Sequence, residues 1–454
     1  MGGILAPAMV RSSPKMPQAF IPRVGCFTAA SLLVSNIIGG AIFTTTGFLA
    51  RDIGDPLWIL TLWFFGGLLA LAGAMSYAEM AAALPHAGGD YVYLRTTYHP
   101  VIGFLSGWTS FTTGFGAALA ASCMSFAAYA ARLGPGLPED PLIMRGLALA
   151  LLWAMTVIHA AGTGPGGTVQ RLFTTTNMLA MGGLIVGGLI LGQGSWTHFE
   201  SAGAAPPGGG MVVVALIFIL YTYLGWNVVG YIAGEIVDPA RNLPKVLIGG
   251  TAFVAAIYLL LNVVYIYALP ISALAEPPIL PVAEKSAAAL WGPGSAQFLT
   301  ILICIAIAAG VSAMVWAGPR VYWAMAQDGA LPRFLSTLHA RTGVPLRALL
   351  LQSIWASVLI LSGTYERLVI FSGFVLAGFT ALTVTGVLVL RWRRPDLPRP
   401  YHVPTIVPVF AIVVLLAIVV TSLHERPLES VLGVATVLAG LPLYWLWKPA
   451  SRKC

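Results

Sequence analysis

The chain alternates between long apolar segments and short polar connections. Because a helix needs about 20 apolar residues to cross a bilayer, each of the long segments is a candidate membrane span. They cover residues 24–50, 56–84, 98–132, 142–163, 168–193, 209–236, 244–270, 295–327, 346–363, 366–391, 404–424 and 427–447. The pattern therefore predicts an all-α integral membrane protein with 12 transmembrane helices.

Composition and charge support this class. Hydrophobic residues make up 58% of the chain and charged residues only 9%, whereas soluble domains carry about 25% charged residues. The formal net charge of +8 lies in the short connections, without a basic face interleaved with aromatics, so nucleic acid is not expected as a partner. The connections at 328–345 and 391–394 are rich in arginine, and the positive-inside rule then predicts that both termini are cytoplasmic.

Two of the apolar segments are interrupted by glycine. Gly39 and Gly40 lie about halfway through the first segment, and Gly225 lies inside the sixth. Glycine in a helix interior costs roughly 1 kcal/mol relative to alanine. Paired interruptions in corresponding spans are typical of the binding site of a secondary transporter.

Spans one to five and spans six to ten can be superposed so that the two interruptions coincide. Because five is an odd number, the second copy crosses the membrane in the opposite orientation, which makes an inverted repeat. We therefore predict a first repeat over 24–193, a second over 209–391 and two extra helices over 404–447, with tails at 1–23 and 448–454.

A helix break in the first span would expose N–H groups on one side and carbonyl groups on the other. The N–H end attracts a carboxylate, and the carbonyl end attracts an ammonium group or a cation, so together they match a free amino acid. The alternative is that Gly39 and Gly40 only allow close helix packing, as small residues do in membranes.

Aromatic residues surround the second interruption. Tyr221, Tyr223 and Trp226 flank Gly225, and Asn227 follows. One interpretation is an aromatic belt at the membrane interface. Because the stretch lies near mid-span, we expect instead a gate or a pocket wall, with Asn227 as a brace for unwound backbone.

Short motifs in a fixed order connect the chain with a known group of transporters. They are IGGAIF at 38–43, YAEM at 77–80 with PHAGGDYVY at 85–93, GWN at 225–227 with GEIVDPARNLP at 234–244, and RVY at 320–322 with GALP at 329–332. Together they resemble the amino acid–polyamine–organocation (APC) superfamily, closest to bacterial members of the L-type amino acid transporter branch. The resemblance covers most of residues 24–350. It implies a LeuT-type fold with discontinuous helices 1 and 6, in the bacterial inner membrane.

The resemblance also implies where an amino acid would bind. Its carboxylate would meet the backbone of Gly39, Gly40 and Ala41, and its ammonium group would meet carbonyls near Ile37 and the sixth span. Tyr221 would close over the substrate as an aromatic gate. The predicted substrate-binding residues are Ile37, Ile38, Gly39, Gly40, Ala41, Tyr221, Leu224, Gly225 and Trp226.

Three positions depart from the family pattern. Gly40 replaces a hydroxyl residue and Ala41 replaces a glycine, which predicts a changed or narrower pocket rather than a lost site. Asn177 stands where many relatives have a lysine in the fifth span, and an amide does not take up and release a proton near neutral pH. A lysine-based proton cycle is therefore in doubt, and exchange, facilitated uptake and coupling to H+ or Na+ all stay open.

Other polar residues in the spans have assigned roles and alternatives. Asn177 and Asn227 are expected to brace the breaks, and Ser312 either contacts a coupling cation or bonds a carbonyl of its own helix. Glu79 and Glu235 are expected to order a gate at the inner mouth with arginine or backbone partners, although an ionisable residue in a membrane is also a candidate proton carrier. His159, near a span end, is expected to be exposed at the interface.

Several other functions lack the residues that they require. No His, Cys and Asp cluster has metal-ligand spacing, and no glycine loop ends in Lys-Ser/Thr, so neither a metal, a cofactor nor ATP is expected. A polyamine carrier would favour acidic residues at mid-span, and a membrane enzyme would need paired carboxylates; neither is found. A channel or nutrient sensor would not show saturable, stereoselective uptake.

The expected function is alternating-access transport of a small or neutral L-amino acid. Spans one, two, six and seven would rock against spans three, four, eight and nine. The loop 133–141 contains no cysteine, so a disulfide-linked heavy subunit, as in animal relatives, is not expected.

Overall fold

The computed structural model of the chain describes residues 19–133, 140–200, 206–277, 282–425 and 427–447. Within these ranges the regular structure is helical, apart from one isolated parallel bridge between Val24 and Ile236. The helices are α1 (Cys26–Ile37), α2 (Thr45–Ile53), α3 (Pro56–Ala83), α4 (Asp90–Thr97), α5 (Pro100–Thr109), α6 (Ala118–Ala131), α7 (Pro141–Ala160), α8 (Thr163–Leu191), α9 (Gly209–Tyr223), α10 (Val228–Tyr231), α11 (Pro239–Ala268), α12 (Ile271–Ala275), α13 (Val282–Trp291), α14 (Gly294–Gln327), α15 (Leu346–Ser362), α16 (Tyr365–Arg393), α17 (Ile406–Glu425), α18 (Pro427–Leu438) and α19 (Leu441–Trp447).

Nine helices in the described part of the chain are long and apolar enough to cross a membrane. Three shorter apolar helices, α1, α9 and α15, occupy the first, sixth and ninth predicted segments. α1 and α9 are short because each ends at a predicted glycine interruption. The predicted apolar segments therefore all contain helix, and the helix is discontinuous in the first and the sixth.

Three helices lie in connections where the hydropathy pattern predicted none. They are α4, α12 and α13, each of 5 to 10 residues. The last predicted segment is divided between α18 and α19, next to Gly440. A Cβ at Gly440 would lie 2.8 Å from Cγ of Trp108, so this bend brings the end of the chain against the third span.

The third span contains a wider helical turn that the sequence did not predict. α5 passes into a π-helical stretch, Ser110–Ala117, which continues into α6. Single π-helical turns inside α-helices frequently mark functional sites. Here the stretch faces the cavity described below.

An aromatic cluster holds the end of α9 against α3 and α11. The ring of Tyr258 lies 5.0 Å from that of Tyr223 and 5.8 Å from that of Trp63, between centroids. On the same face of α3, a Cβ at Gly73 would lie 2.8 Å from the ring of Trp226. Small residues on α3 thus let the backbone around the second interruption pack closely, as is usual between helices in membranes.

Candidate functional site

The first interruption is a true break in the helix. α1 ends at Ile37, Gly39 is extended, and a 3-10 turn over Gly40–Phe43 leads into α2. The backbone N–H groups of Gly40 and Ala41 have no backbone acceptor among the described residues. Unpaired N–H groups at the start of a helical turn carry partial positive charge and attract anions.

The second interruption depends on a glycine. α9 ends at Tyr223, and Gly225 adopts φ +113°, a backbone conformation that residues with a Cβ rarely adopt. A Cβ at this position would overlap the side-chain amide of Asn36 and lie 2.8 Å from the Asn36 carbonyl oxygen. Glycine is required here both for the dihedral angle and for the close approach of the two chains.

Two side chains tie the breaks together. Asn36 Nδ2 donates to the carbonyl of Gly225 at 3.0 Å. The Tyr258 hydroxyl lies 3.0 Å from the carbonyl of Ile37 and 3.3 Å from that of Thr222, as a donor shared between the two. The carbonyl ends of α1 and α9 are therefore held at one place. Neither Asn36 nor Tyr258 was predicted, although an asparagine three residues before Gly39 is a signal for such a brace.

A cavity of about 550 Å³ lies at this junction. Its walls come from both breaks, the third span, α14 and α16. The lining residues are Asn36, Ile37, Gly39, Gly40, Ala41, Thr44, Asp90, Ser106, Thr109, Ser110, Gly114, Phe115, Ala118, Ala121, Ser122, Ser125, Tyr129, Tyr221, Thr222, Leu224, Gly225, Asn227, Tyr231, Ile307, Gly310, Met314, Leu376, Phe379 and Thr380. The sequence predicted seven of these as substrate-binding residues, all from the breaks: Ile37, Gly39, Gly40, Ala41, Tyr221, Leu224 and Gly225. It named none of the lining residues of the third span or α16.

Most of the predicted substrate-binding residues line this cavity, and two do not. Ile38 is fully buried in the core, and Trp226 packs against Gly73. Tyr221 lines the cavity and is 48% exposed. Both breaks therefore face one cavity, but Ile38 and Trp226 support its wall from behind.

The first glycine pair does not serve close helix packing. A Cβ at Gly39 would meet no atom within 4 Å, and one at Gly40 would meet only the side chain of Ile307, at 3.9 Å or more. These distances contradict the packing alternative at this position. The space next to both glycines belongs to the cavity.

An acidic residue reaches the cavity wall, which the sequence reasoning missed. Asp90 lines the cavity and is 7% exposed. It lies at the first position of α4, directly after Gly89, whose φ is +52°. A Cβ at Gly89 would overlap the ring of Tyr231, so the glycine turn allows the acidic residue to fold back into the protein. The expectation that no acid is present near the site was wrong, because Asp90 comes from a connection rather than a span.

Glu79 and Glu235 each have an arginine partner. Arg391 donates to both oxygens of Glu79, at 2.8 and 2.5 Å, and the backbone N–H of Val403 donates to Oε2 at 2.8 Å. Arg320 Nε lies 2.6 Å from Oε1 of Glu235, and both side chains are 2% exposed. Both carboxylates therefore have arginine partners, although Oε2 of Glu235 has no hydrogen-bond partner among the described residues.

The Glu235 backbone also binds the segment that precedes α1. The N–H groups of Arg23 and Val24 both donate to the carbonyl of Glu235 at 2.8 Å. The guanidinium of Arg320 lies 5.7 Å from the centre of the Phe20 ring. These contacts join the segment before α1 to the end of the sixth span and to α14.

Removing Glu235 is expected to destabilise the protein. Glu235→Ala would leave the Arg320 guanidinium buried without its partner, which typically costs about 3–5 kcal/mol. The thermal midpoint of purified protein in detergent should therefore fall markedly. As a matched control, Asp52→Ala removes the partner of an exposed ion pair with Arg51 and should leave the midpoint unchanged. Equal midpoints for the two variants would contradict this role of Glu235.

The remaining polar residues have partners different from those expected. Ser312 neither bonds its own helix nor lines the cavity; its hydroxyl lies 2.8 Å from Nε2 of His159. His159 is buried rather than exposed, because its ring packs between α8 and Trp316.

Asn177 is buried, and its amide nitrogen has no partner among the described residues. Asn227 does line the cavity, but its amide donates to the side chains of Asp90 and Tyr231 and not to the backbone of the break that it was expected to brace.

Comparison with known proteins gives a consistent result. The profile of the amino acid permease family matches residues 24–440. The human large neutral amino acids transporter small subunit 2 is 28% identical over 434 residues, which cover 93% of this chain and 80% of that protein. The mouse Asc-type amino acid transporter 1 is 27% identical over 95% of this chain and 82% of that protein. The mouse b(0,+)-type amino acid transporter 1 is 27% identical over 94% of this chain and 88% of that protein.

Proposed function

Because the chain belongs to the amino acid permease family, we propose that it is a secondary transporter that carries neutral L-amino acids across a bilayer by alternating access. The observation that carries this proposal is the meeting of two helix breaks at one cavity. One break presents unpaired N–H groups, and the carbonyl ends of both lie beside them. Family membership also excludes the membrane-enzyme alternative, since the family and the relatives are transporters.

The carboxylate of the substrate would bind the N–H groups of Gly40 and Ala41, which have no backbone acceptor of their own. The ammonium group would bind at the carbonyl ends of the two breaks, where Ile37, Thr222 and Gly225 line the cavity wall. The Thr222 oxygen accepts one bond, from Tyr258, and a carbonyl oxygen has two lone pairs, so it can accept a second bond from the substrate. The oxygens of Ile37 and Gly225 each accept two bonds already, from Tyr258 and the Gly39 N–H and from Asn36 and the Val228 N–H, so they attract the ammonium group through their partial negative charge.

A neutral side chain fits this cavity better than a cationic one. Among the described residues that line it, Asp90 is the only one with a charged side chain. Both of its oxygens already accept hydrogen bonds from neighbouring side chains. The rest of the wall is apolar or bears hydroxyl groups, such as those of Ser122 and Ser125. A polyamine carries several positive charges, and at the described wall it would meet one acid, Asp90, whose oxygens already accept hydrogen bonds.

We infer a LeuT-type arrangement of two inverted five-helix repeats, 24–193 and 209–391, followed by two helices in 404–447. The support is the occurrence of a break in the first helix of each half, α1 and α9. In this arrangement spans one, two, six and seven rock against spans three, four, eight and nine.

The described conformation is outward-facing in this proposal. With both termini in the cytoplasm, the contacts of Glu235 with Arg23, Val24 and Arg320 close the inner side. The cavity extends along the third span to Tyr129, near the other end of α6. Transport would require the inner contacts to separate after the substrate has bound.

We propose that the chain works in a bacterial inner membrane without a disulfide-linked heavy subunit. One relative is named a small subunit, but this chain has no cysteine in the loop 133–141. Of the three cysteines in the described residues, only Cys26 is exposed, and it lies at the start of α1.

Counterflow in proteoliposomes tests the function. Vesicles that hold purified protein are preloaded with one unlabelled amino acid, and entry of the same labelled amino acid is followed for all twenty, with putrescine and spermidine as further arms. We expect saturable entry of neutral L-amino acids and not of their D-enantiomers. Entry of the polyamines alone would overturn the proposal, and so would an absence of entry in every arm.

Comparison of empty with preloaded vesicles separates net transport from exchange. An exchanger without ion coupling would take up label only into preloaded vesicles. A coupled transporter would also fill empty vesicles when the driving gradient is present. This comparison distinguishes the two mechanisms at the same site.

A further inference from the structure

We propose that Asp90 is the site at which this transporter binds a coupling proton, taking it up from the cavity and releasing it when the inner side opens. The inference rests on the proposed transport function. It assigns the ion-binding role that Asn177, as an amide in the fifth span, is unable to fill.

The Asp90 carboxyl is held at the junction of three elements. Tyr231, in α10, donates its hydroxyl to Oδ2 at 2.6 Å, and Asn227 donates its amide to the same oxygen at 3.0 Å. Thr383, in α16, donates its hydroxyl to Oδ1 at 2.9 Å. The carboxyl thus joins α4 to the far side of the second break and to α16, and it does so at the cavity wall.

No cation neutralises this buried group. None of the ion pairs among the described residues includes Asp90. The arginine side chains on or beside the helices that pack near Asp90 bind other partners. They are Arg95 with Asp328, Arg391 with Glu79, Arg320 with Glu235, and Arg393 with the carbonyl of Thr97. A buried carboxylate without a cation is costly, so proton binding is the remaining route to neutrality.

The titratable groups around Asp90 are tyrosines. Tyr77 faces it from α3, Tyr93 from α4 and Tyr231 from α10. α16 contributes Thr383, which does not titrate, and α5 has no titratable side chain within Pro100–Thr109. The proton equilibrium at this place therefore belongs mainly to the one carboxyl group.

The surroundings favour the protonated form in this conformation. Burial raises the pKa of the Asp90 carboxyl above its ordinary value, although hydrogen bonds from Tyr231, Thr383 and Asn227 partly oppose the rise. Opening of the inner side would hydrate the carboxyl, and its pKa would fall towards the ordinary value. The proton therefore binds more tightly while the inner side is closed and leaves when that side opens. Proton binding and the conformational change are coupled equilibria.

The hydrogen-bond partners suit both protonation states. The hydroxyl groups of Tyr231 and Thr383 can either donate or accept a hydrogen bond. When the carboxyl is protonated, its O–H can donate to one of these hydroxyls, while Asn227 continues to donate to Oδ2. A sodium ion would fit less well, because it binds only through oxygen lone pairs, and Oδ2 already faces two donors.

Accumulation driven by a pH gradient tests the inference. Proteoliposomes with the membrane potential clamped are given an interior one pH unit more alkaline than the exterior, and uptake of tritiated L-alanine and L-leucine is followed. One proton per substrate allows accumulation of up to about tenfold, since one pH unit is equivalent to a factor of ten. Pyranine inside the vesicles should report proton entry on addition of substrate, and a rise in external pH should slow uptake.

Variants identify the group that binds the proton. Asp90→Asn should lose gradient-driven accumulation and the pyranine signal but still show counterflow, whereas Asp90→Glu should recover the response to the gradient. Asp52→Asn, the same change at an exposed aspartate paired with Arg51, is the matched control and should behave as the native protein.

Each outcome decides between the two proposals. Counterflow without any response to the gradient in the native protein would overturn the role of Asp90 and leave the transport function standing. A gradient response that persists in Asp90→Asn would also overturn it. A native protein without counterflow of any amino acid would overturn the transport function, and the inference with it.

Discussion

Replacing Gly40 with leucine is expected to lower amino acid uptake by about 100-fold without unfolding the protein. A Cβ at this position faces the cavity and meets only the side chain of Ile307, so the leucine side chain fills the space beside the N–H groups of Gly40 and Ala41. Two hydrogen bonds to a charged carboxylate contribute about 1.5 kcal/mol each or more, and each 1.4 kcal/mol is about tenfold in affinity.

A second glycine gives the matched control for this variant. Gly183, in α8, is exposed, and a Cβ there would also meet no atom within 4 Å. Gly183→Leu adds the same apolar bulk away from the cavity and should keep both uptake and the thermal midpoint. Unchanged counterflow in Gly40→Leu would remove the first break from the substrate site.

Replacing Gly225 with alanine is expected to reduce both stability and transport. The residue has φ +113°, and a strained non-glycine residue costs about 1–3 kcal/mol. The added Cβ would also displace the Asn36 amide and break its hydrogen bond to the Gly225 carbonyl, which contributes about 1 kcal/mol more. A fall of about 2–4 kcal/mol in the free energy of unfolding should appear in denaturant titrations of the purified protein.

Two comparisons separate the causes of that loss. Gly363 also has a positive φ, of +70°, but a Cβ there would meet no atom of the described residues within 4 Å, so Gly363→Ala measures the cost of a positive φ without such a contact. Asn36→Ala combined with Gly225→Ala removes the contact with the Asn36 amide but keeps the strain and the 2.8 Å approach to the Asn36 carbonyl oxygen. If Gly225→Ala costs as much stability in the Asn36→Ala background as in the native protein, the hydrogen bond between the breaks is not what the glycine protects.

The spans and the breaks could be predicted because they depend on local sequence. Apolar length sets which segments become long helices, and a glycine pair or a Gly–Trp pair in mid-span weakens the helix where it stands. α1 ends at Ile37 and α9 at Tyr223, each next to its predicted glycine. The spans and the breaks can therefore be predicted without knowing which residues pack against them.

The rest of the site depends on contacts between distant parts of the chain. Asp90 meets Asn227 across 137 residues, and Asn36 meets Gly225 across 189. Hydropathy assigns Asp90 to a connection between two spans. Nothing in the local pattern shows that the turn at Gly89 folds Asp90 against the second break. For the same reason Ser312 was expected to contact a coupling cation or a carbonyl of its own helix, whereas its partner is His159, on α7.

The cavity-lining residues of the third span and α16 were also beyond local reasoning. The π-helical stretch Ser110–Ala117 and the residues of α16 line the cavity, yet their sequences resemble ordinary membrane helix. A wider turn changes which side chains share a face, so a period of 3.6 residues assigns some of them to the wrong side. The cavity is therefore larger than the two breaks alone would suggest.

Competition with truncated substrates tests the central claim most directly, namely that the two breaks bind the two ends of an amino acid. Counterflow of tritiated L-leucine is measured with unlabelled L-leucine, with its amine analogue that lacks the carboxylate, and with its acid analogue that lacks the ammonium group. The account predicts that only L-leucine competes, because the N–H groups of Gly40 and Ala41 bind the carboxylate and the carbonyl ends of the two breaks bind the ammonium group. Competition by either analogue as strong as that of L-leucine would contradict it.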